Sequence, residues 1–366
     1  MAHPSLVTPL YALFTASTLL TLGMAAAVLR GNALMRRRHA RAKREGNDLA
    51  LEFARFLSRP SDPGRLRERA QAARPPVFWA ALETFSDGIE GEEWRTLTAQ
   101  LRGLPEIERV RRRLERGSDW SRALVARRIG LLEDPAHRRA LFKAMAGGPA
   151  LVTLIAGLAL ARVRDVGALE WLMQHPEALT GLSRHQLVAL IKRFGLAGLE
   201  PLRRTAALEP SEAPVRLAAL DALGLWKDAL ARARLETLLS IGEVETRAAA
   251  ARALGQIAVA ASLPALEAAL RDRAWQVRAQ AAHALGALGM IATPAVPALA
   301  ARTRDLSWWV RRHAAYSLGR MGLIGQQALA SVVAHDQDPY ARDAAQEVLQ
   351  MIEWERESPG GQARVE

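Results

Sequence analysis

The sequence predicts an all-α protein, a solenoid of stacked antiparallel helix pairs preceded by a single transmembrane helix. Three observations lead to this prediction: an arginine that recurs at near-constant spacing, an amphipathic segment upstream of it, and a long uncharged run near the amino terminus. A self-similar period of about 20 to 50 residues is typical of stacked units that cannot bury their apolar faces alone.

The recurring arginine defines one helix of each unit. It stands at the following positions, 31 to 33 residues apart: Arg216, Arg247, Arg278, Arg311 and Arg342. Alanine follows three residues after each arginine, leucine seven residues after, and glycine eight residues after the first four. These spacings place the alanines and leucines on one stripe of a helix, and we expect the glycine to end that helix.

A second helix and a connecting turn complete each unit. Residues 263–270 and 296–302 are amphipathic and begin near proline, so they predict a helix upstream of the arginine-bearing one. Asp272, Asp305 and Asp336 each stand six residues before an arginine, in the predicted turn between the two helices. We expect them to accept backbone N–H groups and to pair with an arginine of the same or the next unit.

Residues 215–224 (VRLAALDALG) and 277–286 (VRAQAAHALG) resemble the HEAT repeat family, especially its short bacterial form, which is similar to the repeats of phycobilin lyase subunits. The resemblance is clear from residue 211 to residue 353. Gly195 is predicted to close a looser copy in which Leu187 stands at the arginine position. Residues 120–130 and 150–161 are interpreted as degenerate repeat helices.

The composition divides the chain into six segments. Proline and glycine at 60–64, 75–76 and 88 separate predicted helices at 49–57, 77–85, 92–101 and 107–116. The segments are a membrane anchor (1–29), a basic juxtamembrane segment (30–46), a helical region that is either divergent repeats or a small subdomain (47–117), degenerate HEAT-like repeats (118–210), clear HEAT-like repeats (211–357) and a disordered tail (358–366).

The anchor is predicted from residues 4–29, which contain no Asp, Glu, Lys or Arg. About 20 apolar residues cross the hydrocarbon core as a helix. A cleaved secretory signal is the alternative, with small residues at 25–27 as a cleavage site. Signal peptides carry their positive charge before the apolar run, whereas here the bases follow it, so the sequence favours a retained anchor.

The basic residues that follow the apolar run predict the topology. Bases flanking a span favour the cytoplasmic side, so we expect a single-pass protein of the inner membrane with its amino terminus outside and the solenoid in the cytoplasm. The bases also supply more than half of the formal net charge of +12. Six of them are predicted to contact anionic lipid headgroups: Arg36, Arg37, Arg38, Arg41, Lys43 and Arg44. A second uncharged stretch at 144–161 is interrupted by glycine and proline at 147–149, which favours a buried repeat helix over a second span.

The sequence predicts no active site. The chain has no cysteine, which excludes disulfides and thiolate metal sites. It also lacks a glycine-rich phosphate loop, a paired-histidine zinc helix and a nucleophile elbow. We therefore expect no catalytic residue, no metal, no cofactor and no small-molecule substrate.

A row of polar side chains predicts where a partner binds. The fifth residue after each arginine is polar or polar-tipped: Asp221, Arg252, His283, Tyr316 and Glu347. In HEAT-like solenoids the second helix of each pair lines the concave surface, so the resemblance implies that this row, with Gln280, Arg312 and His313, faces a groove. The predicted partner-binding residues are Arg252, His283, Tyr316, Arg312 and Trp309. Trp275 and Trp308 share one register and are interpreted as packing between repeats.

These observations favour a membrane-anchored cytoplasmic HEAT-repeat scaffold that binds a protein, with a membrane-associated partner. The resemblance implies one alternative, an enzyme or enzyme subunit of the phycobilin-lyase type. A nucleic-acid-binding HEAT-like protein is the other. The alternating charges of Asp221, Arg252 and Glu347 argue against a continuous phosphate track, so no nucleic acid is expected.

Overall fold

The computed structural model describes residues 30, 40–58, 62–86, 88–89, 91–207 and 213–357. The predicted membrane anchor, Arg36 to Arg38 and the predicted tail lie outside the described residues. The chain forms two compact units: one contains the described residues up to Gly117 together with Arg127–His137, and the other contains Ser118–Ala126 and the described residues from Arg138 onward. The regular structure of the described residues is helical, which confirms the all-α class.

The first unit has a core rich in aromatic side chains. Phe53, Phe78, Trp79 and Trp94 are almost completely buried. The indole N–H of Trp94 donates to the Leu131 carbonyl oxygen at 2.8 Å, so even this buried polar group is satisfied. The helices are α1 (40–58), α2 (Pro63–Ala72), α3 (Pro75–Ser86), α4 (Glu92–Leu101), α5 (Pro105–Arg111) and α6 (Asp119–Leu131), the last of which contributes residues to both units.

Helix α2 occupies a position at which the sequence predicts a break. Pro63 lies in the first turn of the helix, where a missing N–H costs nothing. The Asp62 side chain accepts the Arg65 N–H at 2.9 Å and caps the helix. The proline and glycine at 60–64 therefore mark a helix start, and the sequence did not predict the helix that follows.

The second unit is a stack of antiparallel helix pairs, in which we call the first helix A and the second helix B. Except for α10, each B helix packs on the A helix of its pair, and α12, α14, α16, α18 and α20 lie side by side. The pairs, A before B, are α7 (Arg138–Ala146) and α8 (Ala150–Arg162), α9 (Val166–Gln174) and α10 (Arg184–Arg193), α11 (Leu199–Ala207) and α12 (Ala213–Leu225), α13 (Arg232–Ile241) and α14 (Val244–Ile257), α15 (Leu263–Ala269) and α16 (Trp275–Leu288), α17 (Val296–Arg302) and α18 (Trp308–Gly319), and α19 (Gly322–His335) and α20 (Pro339–Glu357).

The predicted alanine and leucine stripe forms the core of the stack. In α14 and α16, Ala250, Leu254, Ala281 and Leu285 have no exposed surface. The small alanines let successive B helices approach closely, while the leucines fill the space beneath them. The stripe and its helical register are confirmed.

Three of the four repeat glycines do not end their helices, which corrects the prediction for them, whereas Gly319 is the last residue of α18. Gly224, Gly255 and Gly286 lie inside B helices, at the contact with the next B helix. A Cβ atom at Gly255 would lie 2.6 Å from the Cα atom of Ala284, a distance that real Cβ atoms do not adopt. Glycine is therefore required for close helix approach and not for a turn.

A left-handed residue three positions later closes each B helix. Lys227 has a φ of 53°, and the N–H of Asp228 donates to the Leu223 carbonyl oxygen at 3.0 Å, which is a Schellman closure. The left-handed residues recur every 30 to 33 positions, at Gly103, Glu133, Arg164, Gly195, Lys227, Ala258, Gly289 and Gly322. The period therefore extends upstream through α6 and α4, to residues that the sequence left undecided.

This series also corrects the register of the copy that ends at Gly195. Gly195 corresponds to Lys227, not to Gly224, so the copy is displaced by three residues. Arg184, not Leu187, stands at the arginine position. Leu187 is buried in the core, as an aliphatic residue on the inner face of α10 should be.

The aspartates of the A–B turns form an ion-pair ladder with a direction. Both carboxylate oxygens of Asp305 accept hydrogen bonds from Arg278 of the preceding pair, at 2.7 and 2.8 Å. Arg247 binds Asp272 of the next pair with the same distances. Oδ1 of Asp305 also accepts the Ser307 N–H at 3.0 Å, so one carboxylate links two repeats and starts a helix. The predicted Asp–Arg ladder is present at these two steps, but each arginine comes from the preceding repeat, whereas the sequence predicted one from the same or the next unit.

The ladder changes at its last step. Arg311 donates to the backbone carbonyl of Asp305 in its own repeat at 2.8 Å, while Asp336 accepts from Arg304 at 2.6 Å. The Arg311 guanidinium lies 5.2 Å from the ring centre of Tyr340. An aromatic ring therefore replaces the aspartate as the partner of this arginine across the interface.

Asp305→Asn is expected to lower the free energy of unfolding by about 2 kcal/mol at neutral pH, because the amide keeps the helix cap but loses the charge that faces Arg278. Burial alone raises the pKa of Asp305, but hydrogen bonds from Arg278 and the Ser307 N–H, with the charges of Arg278 and Arg302, hold it below its ordinary value. The stability from this carboxylate is therefore present above its unfolded pKa and lost as the pH falls through the folded pKa. Urea unfolding of both proteins between neutral and acidic pH should show the difference shrinking.

The matched control is Glu347→Gln, which removes the same charge from a more exposed pair. Arg312 Nη1 and Glu347 Oε1 are 3.0 Å apart, with both side chains partly in solvent. A loss below about 1 kcal/mol is expected. Equal losses in the two variants would contradict a structural role for the buried ladder.

Among the described residues, one segment is long and apolar enough to cross a bilayer, Trp275–Arg302. It comprises α16, a 3-10 turn that begins at Gly289, and α17, and 44% of its most apolar window is buried in the repeat stack. The uncharged stretch at 144–161 falls on α7 and α8, with Gly147 to Pro149 between them. Helix α8 has 13 residues and buries Val152, Ala156 and Leu160.

Candidate partner-binding surface

The B helices carry the predicted row of polar side chains on neighbouring elements. Successive B helices contact each other over much of their length, whereas successive A helices touch at few points. A stack whose elements approach most closely on one side bends toward that side, so the B helices lie on its inner side. Each of five B helices contributes one residue to the row, which therefore crosses the inner face.

Arg252 belongs to an ion cluster at the amino-terminal part of this row. Its Nη2 and Nε atoms donate to Asp221 Oδ1 at 2.7 and 3.1 Å. Arg184 Nε donates to the other oxygen of the same carboxylate at 2.6 Å. The three side chains come from α10, α12 and α14, and two arginines share one aspartate. Arg184 was missed by the sequence reading because the register of α10 was displaced.

Trp309 lies in an aromatic cluster on α16 and α18. It is 51% exposed, and its ring centre is 4.7 Å from that of Trp308. Trp309 stacks on His313 at 6.5 Å, and His313 meets His283 edge to face at 5.2 Å. The structure therefore brings together His283 and Trp309, two of the predicted partner-binding residues.

Trp308 and Trp275 do not fill the space between repeats, which corrects their interpretation. Trp308 is 49% exposed and Trp275 is 41% exposed. Both lie at the first residue of a B helix, where the side chain stands beside the A–B turn instead of between helices. The exposed indole surface is therefore larger than the sequence indicated.

Arg312 and Tyr316 form a network with Glu347 on the next B helix. The Tyr316 hydroxyl donates to Glu347 Oε1 at 3.0 Å, and Arg312 donates to both of these residues at 3.0 Å. The Arg312 guanidinium also lies 4.7 Å from the Tyr316 ring centre and 5.2 Å from that of Trp308. These contacts help to fix the orientation of both aromatic rings, because Arg312 contacts each of them.

Two imidazoles of the aromatic cluster are held neutral at neutral pH. Desolvation between the helices and the charge of Arg320 lower the pKa of His283. Desolvation, His283 and Arg312 lower the pKa of His313. Burial, together with the hydrogen bond to Glu347, raises the pKa of Tyr316. The cluster therefore presents neutral rings that can both donate and accept hydrogen bonds.

The predicted headgroup contacts fall partly within the described residues. Arg41, Lys43 and Arg44 are exposed on α1. Arg41 Nε donates to Glu45 at 2.9 Å, and Arg74 donates to the same carboxylate, so Arg41 is partly neutralised within the chain. Lys43 and Arg44 keep the predicted role as a hypothesis, whereas Arg36 to Arg38 lie outside the described residues.

Within the part of the chain that the structure describes, no group of three or more histidine or acidic side chains is placed to hold a metal ion. The surface instead offers exposed indoles, neutral imidazoles and an Arg–Tyr–Glu network. Trp, Tyr and Arg are the residues enriched at the centres of protein interfaces. This arrangement can bind a folded partner or a peptide without any covalent chemistry.

Stacked helix pairs with a period near 31 residues, and a row of binding-type side chains on one helix of each pair, define an α-solenoid repeat protein. A family model for HEAT repeats matches residues 201–286 and 270–350. The matched residues fall on the helix pairs from α11 to α20.

Several solved structures are similar to parts of the chain at low sequence identity. The CpcE–CpcF complex of phycocyanin lyase from Nostoc sp. PCC7120 is 22% identical over 42% of this chain and 99% of that chain, with a TM-score of 0.35. Human deoxyhypusine hydroxylase is 20% identical over 75% of this chain and 96% of that chain, with a TM-score of 0.31. Kap121p bound to Pho4p is 13% identical over 82% of this chain and 41% of that chain, with a TM-score of 0.46. No curated protein matches the chain significantly. At these identities and TM-scores, the similarities support no conclusion about the function of this chain.

Proposed function

We propose that this protein is a non-enzymatic scaffold whose HEAT repeats hold a protein partner on the inner face of the B helices. The observation that carries the proposal is the aromatic cluster, in which Trp308, Trp309 and His283 are exposed side by side on neighbouring helices. Exposed indoles are uncommon on surfaces that meet only water, and they supply large contact area at low entropic cost.

The contacts divide the predicted partner-binding residues into two roles. Arg252, Arg312 and Tyr316 are engaged by Asp221 and Glu347, so in this proposal they hold the surface in shape. Trp309 and His283 keep exposed ring surface and make the contacts. Trp308 joins them, although the sequence assigned it to packing.

We further propose that the scaffold is tethered in the inner membrane by residues 1–29, with the repeats in the cytoplasm and a membrane-associated partner. The support is the uncharged run at 4–29 followed by seven basic residues with no acid among them. Confinement to the bilayer raises the effective concentration of the scaffold for partners in the same membrane, so a modest interface suffices.

The proposal predicts that the triple variant His283→Ala, Trp308→Ala and Trp309→Ala loses its partner in pull-downs from detergent-solubilised membranes. Hot-spot aromatic residues contribute about 2 kcal/mol or more each, so the affinity for the partner should fall by about 30-fold or more. Quantitative mass spectrometry of the recovered proteins measures the loss.

The control is the double variant Trp120→Ala and Trp354→Ala, which removes exposed indoles from other parts of the chain. It should recover the partner at the wild-type yield. Equal recovery by the triple variant would disprove the partner surface. An alkaline wash of the membranes tests the tether separately, because a chain that is released by the wash is not anchored by a transmembrane helix.

A further inference from the structure

The two edges of the repeat stack differ in chemistry. The A–B turns carry charges, with Asp272, Asp305 and Asp336 each next to a base or a second acid. The B–A turns at 258–262 and 289–295 contain no charged residue, and the segment 321–325, which follows Arg320 and includes the start of α19, is uncharged as well. Surface turns are normally polar, because water must satisfy their backbone groups and because Asn, Asp and Ser favour turn conformations. Three successive uncharged segments on one edge therefore need an explanation.

These B–A turns also expose large aliphatic side chains at equivalent positions. Met290 and Leu323 each follow the left-handed glycine directly and are 74% and 72% exposed. Ile291 and Ile324 come next and are at least half exposed. Leu196 occupies the same position after Gly195, whereas the equivalent residue after Ala258 is the partly buried Val259. Single exposed aliphatic residues are common, but two pairs at one structural position in successive repeats, at 290–291 and 323–324, form an apolar edge.

The composition of this edge fits lipid better than protein. Protein hot spots are enriched in Trp, Tyr and Arg, whereas leucine is under-represented in them. In this unit the B-helix surface carries the Trp and Arg side chains, and the B–A edge carries Leu, Ile and Met. Aliphatic side chains on protruding turns can enter the boundary between headgroups and acyl chains without needing a matching pocket.

The charges near the edge are of both signs. Lys227 and Arg320 are exposed beside the turns. The end of α20 brings Glu353, Glu355 and Glu357, and Arg356 of that segment donates to Gln326 at 2.8 Å, which places it beside the start of α19. Attraction to anionic lipid is thus small, and contact with the bilayer depends on the aliphatic side chains.

We infer that the B–A edge of the last repeats, formed by Met290, Ile291, Leu323 and Ile324, dips into the headgroup region of the lipid bilayer. This inference rests on the proposed tether. A few aliphatic side chains bind a membrane only marginally on their own, and a second attachment makes such binding stable. The tether holds the repeats near the surface, and the edge sets which side of the stack faces it.

The absence of cysteine from the chain allows a direct test on the full-length protein. Single variants Met290→Cys and Leu323→Cys are labelled with an environment-sensitive fluorophore and reconstituted in phosphatidylcholine vesicles that contain lipids with a nitroxide near the headgroup. The matched control is Leu306→Cys, because Leu306 is 99% exposed and lies on the opposite, A–B edge. We expect nitroxide quenching at positions 290 and 323 to be roughly threefold stronger than at position 306, since interfacial residues lie within about 10 Å of the headgroup boundary.

Each other outcome overturns the inference. Equal quenching at the three positions, with equal access to aqueous iodide, places the edge in water. Excimer emission from a pyrene at position 323 identifies a second copy of the chain as the occupant. If the probe is protected from iodide in native membranes but not in vesicles, a protein and not lipid covers the edge. If the chain resists alkaline extraction while the probe at position 323 stays in water, the result supports the tether and disproves only the edge contact.

Discussion

Leu285→Asp is expected to unfold the central repeats, whereas His283→Asp is expected to leave them intact. Leu285 has no exposed surface and lies on the stripe between α14, α16 and α18, so a carboxylate there is buried without a partner. Loss of the leucine side chain alone costs about 2 to 5 kcal/mol, and burial of the charge adds to that cost. A fall in Tm of roughly 10 °C or more should follow.

His283 is the control because it lies two residues away on the same helix and receives the same substitution. It is exposed, so the change should alter stability by about 0.5 kcal/mol or less. Circular dichroism melting of the two variants compares them directly. Equal melting temperatures would contradict the helix register on which the whole repeat alignment depends.

Gly255→Val is expected to force α14 and α16 apart. The new Cβ would meet the Cα and Cβ atoms of Ala284, both at 2.6 Å, and backbone atoms cannot move aside as a flexible side chain can. Overpacking of this kind costs about 3 kcal/mol or more when no side chain can yield. Thermal melting should show a large loss, and Gly255→Ala should lie between the variant and the wild type.

The same substitution at Gly46 provides the control. Gly46 lies in helix α1, and a Cβ there would have no neighbour within 4 Å. Valine is a better helix former than glycine, so Gly46→Val should be neutral or slightly stabilising. If Gly255→Val were as benign as Gly46→Val, close approach of the B helices would not be the reason for glycine at that position.

The parts of the fold that the sequence predicted share one physical demand, which is burial. Alanine and leucine recur at the positions equivalent to Ala281 and Leu285, because the space between B helices accepts few side chains. The period is therefore visible in the sequence. The aspartate and arginine of the ladder recur for a similar reason, since few pairs of side chains satisfy a buried charge.

The parts that the sequence did not predict depend on the backbone. The residue that closes each B helix is glycine, lysine, arginine, glutamate or alanine in different repeats, because the left-handed conformation is imposed by the helix end and tolerated by several side chains. No single residue type occupies this position in every repeat, so the sequence did not reveal the closure at Lys227 or Ala258. The glycine three positions earlier was taken for it, and the copy ending at Gly195 was displaced as a consequence.

The candidate surface was predicted as a row but not as a set of contacts. Helical periodicity indicated that Arg252, His283 and Tyr316 share a face, and the structure places them on successive B helices. Which side chains meet across helices depends on inter-helix distances that periodicity does not supply. The pairing of Arg252 with Asp221 and the exposure of Trp308 therefore required the three-dimensional structure.

The direction of the ion-pair ladder has an evolutionary consequence. The repeat of α15 and α16 supplies Arg278 to Asp305 of the repeat that follows, and it supplies Asp272 to Arg247 of the repeat that precedes it. An in-frame duplication of this repeat thus copies both the arginine and the aspartate that form its ion pairs. The copy therefore fits between its neighbours without further mutation. Because such stacks are stabilised by nearest-neighbour contacts, their length can grow or shrink by whole units while every remaining junction is preserved.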